Sequence, residues 1–182
     1  ARDKVGFTAL IFAAHEGGAW LPVMKMLLQA KADTEARSKA GDTALIRAAA
    51  SPCRGCGDRS DCSDAIRVLV TANANIEARD KEGRTALYLA AERGHAEVVR
   101  ALLDARAIVD AKDDAGTTPL FGAAENGEVD VVSMLLAAQA DIDVVSDQGV
   151  TALMSTAEDG HTHVISLLLR SRMSTEGRST DA

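Results

Sequence analysis

Apolar and polar positions along the chain repeat over a long period. Five short segments share one order of residues: FTALIFAAHEG (7–17), DTALIRAAASP (42–52), RTALYLAAERG (84–94), TTPLFGAAENG (117–127) and VTALMSTAEDG (150–160). Their threonines, Thr8, Thr43, Thr85, Thr118 and Thr151, step by 35, 42, 33 and 33 residues. Each segment precedes a second apolar one: VMKMLLQAKADTEA, AIRVLVTANANIEA, EVVRALLDARAIVDA, VDVVSMLLAAQADIDV and VISLLLRSRM. The second segments carry apolar residues at helical spacing, as in Val98, Val99, Leu102 and Leu103. The pattern predicts two helices per unit, five times over.

Local chemistry supports those helices. A threonine before the first apolar residue can accept from exposed backbone N–H groups and cap the helix. Pro119 then falls at the first helical position, where its missing donor costs nothing. The pairs Ala13-Ala14, Ala48-Ala49, Ala90-Ala91 and Ala123-Ala124 let neighbouring helices approach closely. Gly94, Gly127 and Gly160 stand where a left-handed residue ends the first helix. Gly6, Gly41, Gly83, Gly116 and Gly149 recur just ahead of each threonine, as a turn with positive φ requires.

The stretches DKEGRTALYLAAERGHAEVVRALLDARAIVDA (80–111) and DDAGTTPLFGAAENGEVDVVSMLLAAQADIDV (113–144) closely resemble the ankyrin repeat. The likeness extends over about residues 3–172. It implies an all-α solenoid of five stacked helix-turn-helix units with short hairpin-like turns. The expected units are about 3–37, 38–79, 80–112, 113–145 and 146–172, with an insertion at about 51–61 and a polar, unstructured tail at 173–182. One unit cannot bury its apolar face alone, so stacking makes one continuous core.

The resemblance further implies a protein–protein interaction module, a scaffold or adaptor, that binds a partner through the concave face of tips and first helices. Mapped by position, the expected contact residues are Phe7, His15, Glu16, Arg84, Tyr88, Glu92, Arg93, Phe121, Glu125, Asn126, Val150, Glu158 and Asp159. Charge divides that face. Units one to three offer Lys4, Lys39, Lys81, Arg84 and Arg93 against Glu16, Asp42, Glu82 and Glu92. Units four and five offer Asp114, Glu125, Asp147, Glu158 and Asp159 and no base. The expectation is a basic partner segment facing units four and five; the plain alternative is a solvated polar face.

Where the family commonly has the histidine of a TPLH motif, this chain has Ile11, Ile46, Tyr88, Phe121 and Met154. The main expectation is burial between units, with an exposed stripe anchored by Tyr88 and Phe121 as the alternative. His95 and His161, in GHAEVV and GHTHVI, are expected to cap the second helices. Trp20 aligns with His95 and is read either as packed over the end of the stack or as an anchor of a second interface. Such an anchor suits a second reading, a structural subunit or assembly factor held in a larger complex.

Composition narrows the function further. At 47% hydrophobic and 26% charged the chain is globular, and a net charge of −7 argues against nucleic-acid binding. No apolar run reaches the roughly 20 residues of a membrane-spanning helix, so direct membrane insertion is not expected. The chain opens at Ala1, as expected of a fragment or of a processed or recombinant form. No phosphate-binding loop, metalloprotease helix or carboxylate pair is present, and neither an enzyme nor a cofactor is expected.

The cysteines Cys53, Cys56 and Cys62 cluster in SPCRGCGDRSDCSD (51–64) at the insertion. Reduced thiols in a surface loop are the leading reading. A Cys53–Cys62 or Cys56–Cys62 disulfide is the next. Zinc completed by Asp58, Asp61 or Asp64 is a weaker one, because zinc prefers four ligands and only three thiols exist. Cys62 is the reactive candidate, since a helix N-terminus lowers a thiol's pKa.

Overall fold

The computed structural model describes residues 3–17, 20–51 and 61–176, with side chains for all of these except 61, 62 and 174–176. Among them are ten helices: α1 (Ala9–Glu16), α2 (Leu21–Gln29), α3 (Ala44–Ala50), α4 (Asp61–Thr71), α5 (Ala86–Glu92), α6 (Ala96–Asp104), α7 (Pro119–Glu125), α8 (Val129–Ala137), α9 (Ala152–Asp159) and α10 (Thr162–Glu176). A bridge between Val145 and Thr151 is the lone β-type pairing among the described residues. The fold is all-α.

Each unit begins with a turn built on one side chain. Asp3, Asp80 and Asp113 each accept two backbone N–H groups through Oδ1, two and four residues on. Ser38 does the same through its hydroxyl, and Ser146 takes the fourth-residue N–H. The glycines at the turns have φ of 74–88°, a region closed to most side chains. At Gly41 an added Cβ would also lie 3.0 Å from the Lys81 backbone N, so the next unit needs a glycine there.

The five threonines then start the first helices. Each hydroxyl accepts from the N–H three residues on, at 3.2–3.4 Å. The first helices stack in one row and the second helices in another. The main apolar core runs from Leu10, Leu45 and Leu87 through Leu120 to Leu168, all essentially without solvent contact, and Ile46, Ala78 and Leu89 form a smaller buried cluster. Burying each such leucine stabilises by about 2 kcal/mol. The alanine pairs are buried too, which lets the helix rows close up.

Backbone polar groups stitch neighbouring turns together. Lys39 N–H donates to Val5 O, Lys81 to Ala40, Asp114 to Glu82 and Asp147 to Ala115, at 3.0–3.3 Å. A second row lies beyond the second helices, where the carboxylates of Glu35, Glu77 and Asp110 accept from Asn75, Ile108 and Asp141 N–H one unit later. Nothing in the sequence anticipates these rows, because each joins residues 31–41 positions apart.

Two sequence expectations change. The last helix continues through 173–176, where an unstructured tail was expected; no glycine or proline interrupts it until Gly177, and Arg172 pairs with Asp143 at 3.6 Å. His95 makes no side-chain cap on α6. Its Nδ1–H instead donates to Ala49 O of the preceding unit at 3.1 Å, and His161 Nε2–H likewise donates to Glu125 O at 3.0 Å. Both histidines are ties between units.

Candidate partner-binding face

Turns and first helices present one continuous face, and its two halves are built differently. In the first half the side chains are engaged with one another. Phe7 is half-buried, its ring edge-on to His15 at 6.1 Å, with the Arg47 guanidinium 5.1 Å from its centre. Arg47 also reaches Asp42 at 3.5 Å. Ser51 donates to Arg47 O at 2.8 Å, so its oxygen is left to accept from His15 Nδ1–H at 2.7 Å. His15 Nδ1 is thereby the donor of this contact.

Unit three is equally self-contained. Arg84 donates through Nε to Asp80 at 2.9 Å and contacts Glu82 at 3.3 Å. Burial works against its charge, but the Asp80 hydrogen bond and the charges of Asp80, Glu92 and Glu82 outweigh that and hold its pKa above the ordinary value. Arg93 donates to Ala50 O at 3.0 Å. Burial, and then the nearby Arg93 charge, lower the His95 pKa against the opposing Ala49 bond, so the ring stays neutral. Of the cations expected to meet a partner, Arg84 and Arg93 are thus committed inside the chain, while Lys4, Lys39 and Lys81 are exposed and enter no salt bridge among the described residues.

The second half is open. Glu125, Asn126, Glu158 and Asp159 are exposed, and Glu92 and Val150 half-buried. Among the described residues, none of the carboxylates of Glu125, Glu158 and Asp159 enters a salt bridge. The Glu125 carboxyl has a raised pKa, first from burial, then from Asp159 and Glu92, against a hydrogen bond from Ser155. A negative charge there is repelled by its neighbours and met by no cation. Asn126 turns back on its own helix, donating to Gly122 O at 2.9 Å. Glu16 lies half-buried at the far end of the face.

The apolar register resolves mostly inward. Ile11 and Ile46 are buried, Phe121 is half-buried against the core, and Met154 is 58% exposed because no described unit stacks beyond it. Tyr88 is corrected from a surface anchor to a stacking residue. It is 6% exposed, its ring lies against Gly122 of the next unit, and its hydroxyl shares a 3.0 Å hydrogen bond with Thr117. A tyrosine fits there because the facing position is glycine.

One residue of this face, Arg47, carries much of its geometry and was not singled out from sequence. Cys53 and Cys56 lie outside the described residues, as does the Cys62 side chain; the Cys62 backbone is in the first turn of α4. No helix among the described residues is long and apolar enough to cross a membrane.

Five stacked helix pairs with a shared core, glycine turns and a polar face of turns and first helices define a helical-repeat binding protein. Residues 56–146 match the ankyrin repeats family as three copies, and residues 5–39 match a single ankyrin repeat. The chain belongs to the ankyrin-repeat family. Ankyrin repeats are generally protein–protein interaction modules and typically non-enzymatic. No curated protein matches the chain.

Proposed function

We propose that this chain binds a partner protein through the turn-and-first-helix face, and that units four and five take a basic segment of that partner. The observation that carries this reading is the unpaired acidic cluster of Glu125, Glu158 and Asp159 beside the half-buried Glu92. A lysine or arginine placed among these carboxylates meets uncompensated charge and needs no internal pair to break. Arg84 and Arg47, by contrast, would have to give up Asp80 and Asp42 before meeting an acidic ligand. Phe121 and Val150, both half-buried, supply apolar contact at the edge of the same surface.

A synthetic lysine- and arginine-rich peptide tests the reading. Its affinity for the parent chain is compared with that for Glu125→Lys/Glu158→Lys/Asp159→Lys and for a control of equal charge change on the second-helix row, Glu97→Lys/Asp104→Lys/Asp130→Lys. The expected result is a loss of at least tenfold for the first variant and a much smaller, salt-screened loss for the control. Equal losses would reduce the face to a share of the overall negative field. A second reading is a subunit permanently assembled with others, with Trp20, 39% exposed, as the anchor of its interface.

A further inference from the structure

The acidic half of the face has a counterpart on the turns. In each unit after the first, one side chain lies over the glycine of the preceding turn: Lys39 over Gly6, Lys81 over Gly41, Asp114 over Gly83 and Asp147 over Gly116. That contact lays down the lysine stems, with each Cγ 3.2 Å from the point where a Cβ on the glycine would stand. Backbone bonds from Lys39 to Val5, Lys81 to Ala40, Asp114 to Glu82 and Asp147 to Ala115 hold the row in register. Lys39, Lys81 and Asp114 each have a unit on either side and are still exposed, so their openness belongs to the inside of the stack. None of the four side chains enters a salt bridge among the described residues. The row changes sign between units three and four, and the charges on both sides of the change are uncommitted.

We infer that the partner segment carries charge of both signs, its acidic residues meeting Lys39 and Lys81 and its basic residues meeting units four and five. The inference rests on the proposed binding of a basic segment at units four and five and adds a second half to it. Arg84 and Arg93 are held by internal contacts, whereas Lys39 and Lys81 are cations that this half still offers to a ligand. Neighbouring turns stand one unit apart, about 10 Å as for packed helices. An extended chain advances about 3.3 Å per residue, so acidic residues three positions apart reach Lys39 and Lys81 together. Basic residues continuing at the same interval then come over Asp114 and the carboxylates beyond it. The sign change also fixes which way the segment lies, because turning it round sets lysine against lysine and carboxylate against carboxylate.

Three synthetic peptides of equal length test this against the parent chain. The first has glutamates at every third position of one half and lysines at every third position of the other, with serine and glycine between. The second has glutamine for each glutamate. The third has the composition of the first with the two charges alternating. The first is expected to bind about tenfold more tightly than either of the others. Lys39→Glu/Lys81→Glu should abolish its advantage over the glutamine peptide, which that variant should hold at least as tightly as the parent does. A paramagnetic tag on the glutamate end should broaden the amides of the turns at 38–42 and 80–84, and a tag on the lysine end those of α7 and α9. Equal binding of the first and second peptides, an advantage that survives in the lysine variant, or broadening of α9 by the glutamate-end tag would each overturn the inference. In any of those cases, glutamine-peptide binding that still falls with Glu125→Lys/Glu158→Lys/Asp159→Lys leaves the basic-segment site standing alone, and binding that does not fall removes both.

Discussion

The two halves of the turn-and-first-helix face share one backbone plan and differ in what their side chains already hold. In units one to three, Phe7, His15, Arg47 and Ser51 form one connected group, and Arg84 and Arg93 are occupied by Asp80, Glu82 and a carbonyl. In units four and five, Glu125, Glu158 and Asp159 are exposed and make no ion pair among the described residues. The lesson is that charge on a repeat surface does not by itself mark a binding site. Committed charge stabilises the stack, while uncommitted charge is available to a ligand.

Substitutions should therefore separate stability from binding along the face. The largest effect is expected where the halves meet. Tyr88→Ala removes a buried ring between units three and four and should cost about 3 kcal/mol in chemical denaturation. Tyr88→Phe, which leaves Thr117 without its partner, should cost about 1 kcal/mol. If Tyr88→Ala is neutral, the ring is not the link between the halves.

Phe7→Ala should cost about 1–2 kcal/mol, less than a core phenylalanine, because the ring is half-buried. It should also free Arg47, so a modest gain in affinity for an acidic peptide would sharpen the comparison. No destabilisation would show that the Phe7, His15 and Arg47 contacts are incidental.

His95 ties the stack in a pH-dependent way. Its folded pKa lies below the ordinary 6.5, so its contribution is present above that value and is lost as the pH falls through the folded pKa. Thermal melts of the parent chain should show this loss on acidification, and His95→Gln should flatten that part of the profile. An unchanged slope in the variant would assign the acid sensitivity elsewhere.

The smallest effect is expected in the open half. The Glu125 pKa is raised in the folded chain, so the stabilisation from its protonated form is present below the ordinary glutamate value and lost as the pH rises through the folded pKa. Glu125→Gln should therefore raise the melting temperature slightly at neutral pH, and the difference should vanish in acid. A lower melting temperature at neutral pH would mean that the Ser155 hydrogen bond outweighs burial and the repulsion from Asp159 and Glu92.

Much of the fold was legible because it is written by local chemistry at fixed intervals. The Thr8 to Thr151 series caps helices, and the Gly6 to Gly149 series takes positive φ, both within a few residues of the signal. The Asp3, Ser38, Asp80, Asp113 and Ser146 turn residues share the same register, yet two residue types at one position hid their common role. The partners of the candidate face were less legible. Tyr88 is expected from sequence to pack between units, with an anchor as the alternative, and its burial depends on Gly122, a residue 34 positions later whose missing side chain makes the room. Arg47 likewise gains meaning only from Phe7 in the unit before. His95 read as a cap because its sequence neighbours are a helix start, whereas its hydrogen bond reaches back 46 residues to Ala49.

An amide chemical-shift map of the chain titrated with the lysine- and arginine-rich peptide tests the central claim most directly. Perturbations are expected to centre on α7, α9 and the turns before them, with α1 and α3 little affected. Perturbations centred on α1 and α3, or spread evenly over the second-helix row, would contradict it.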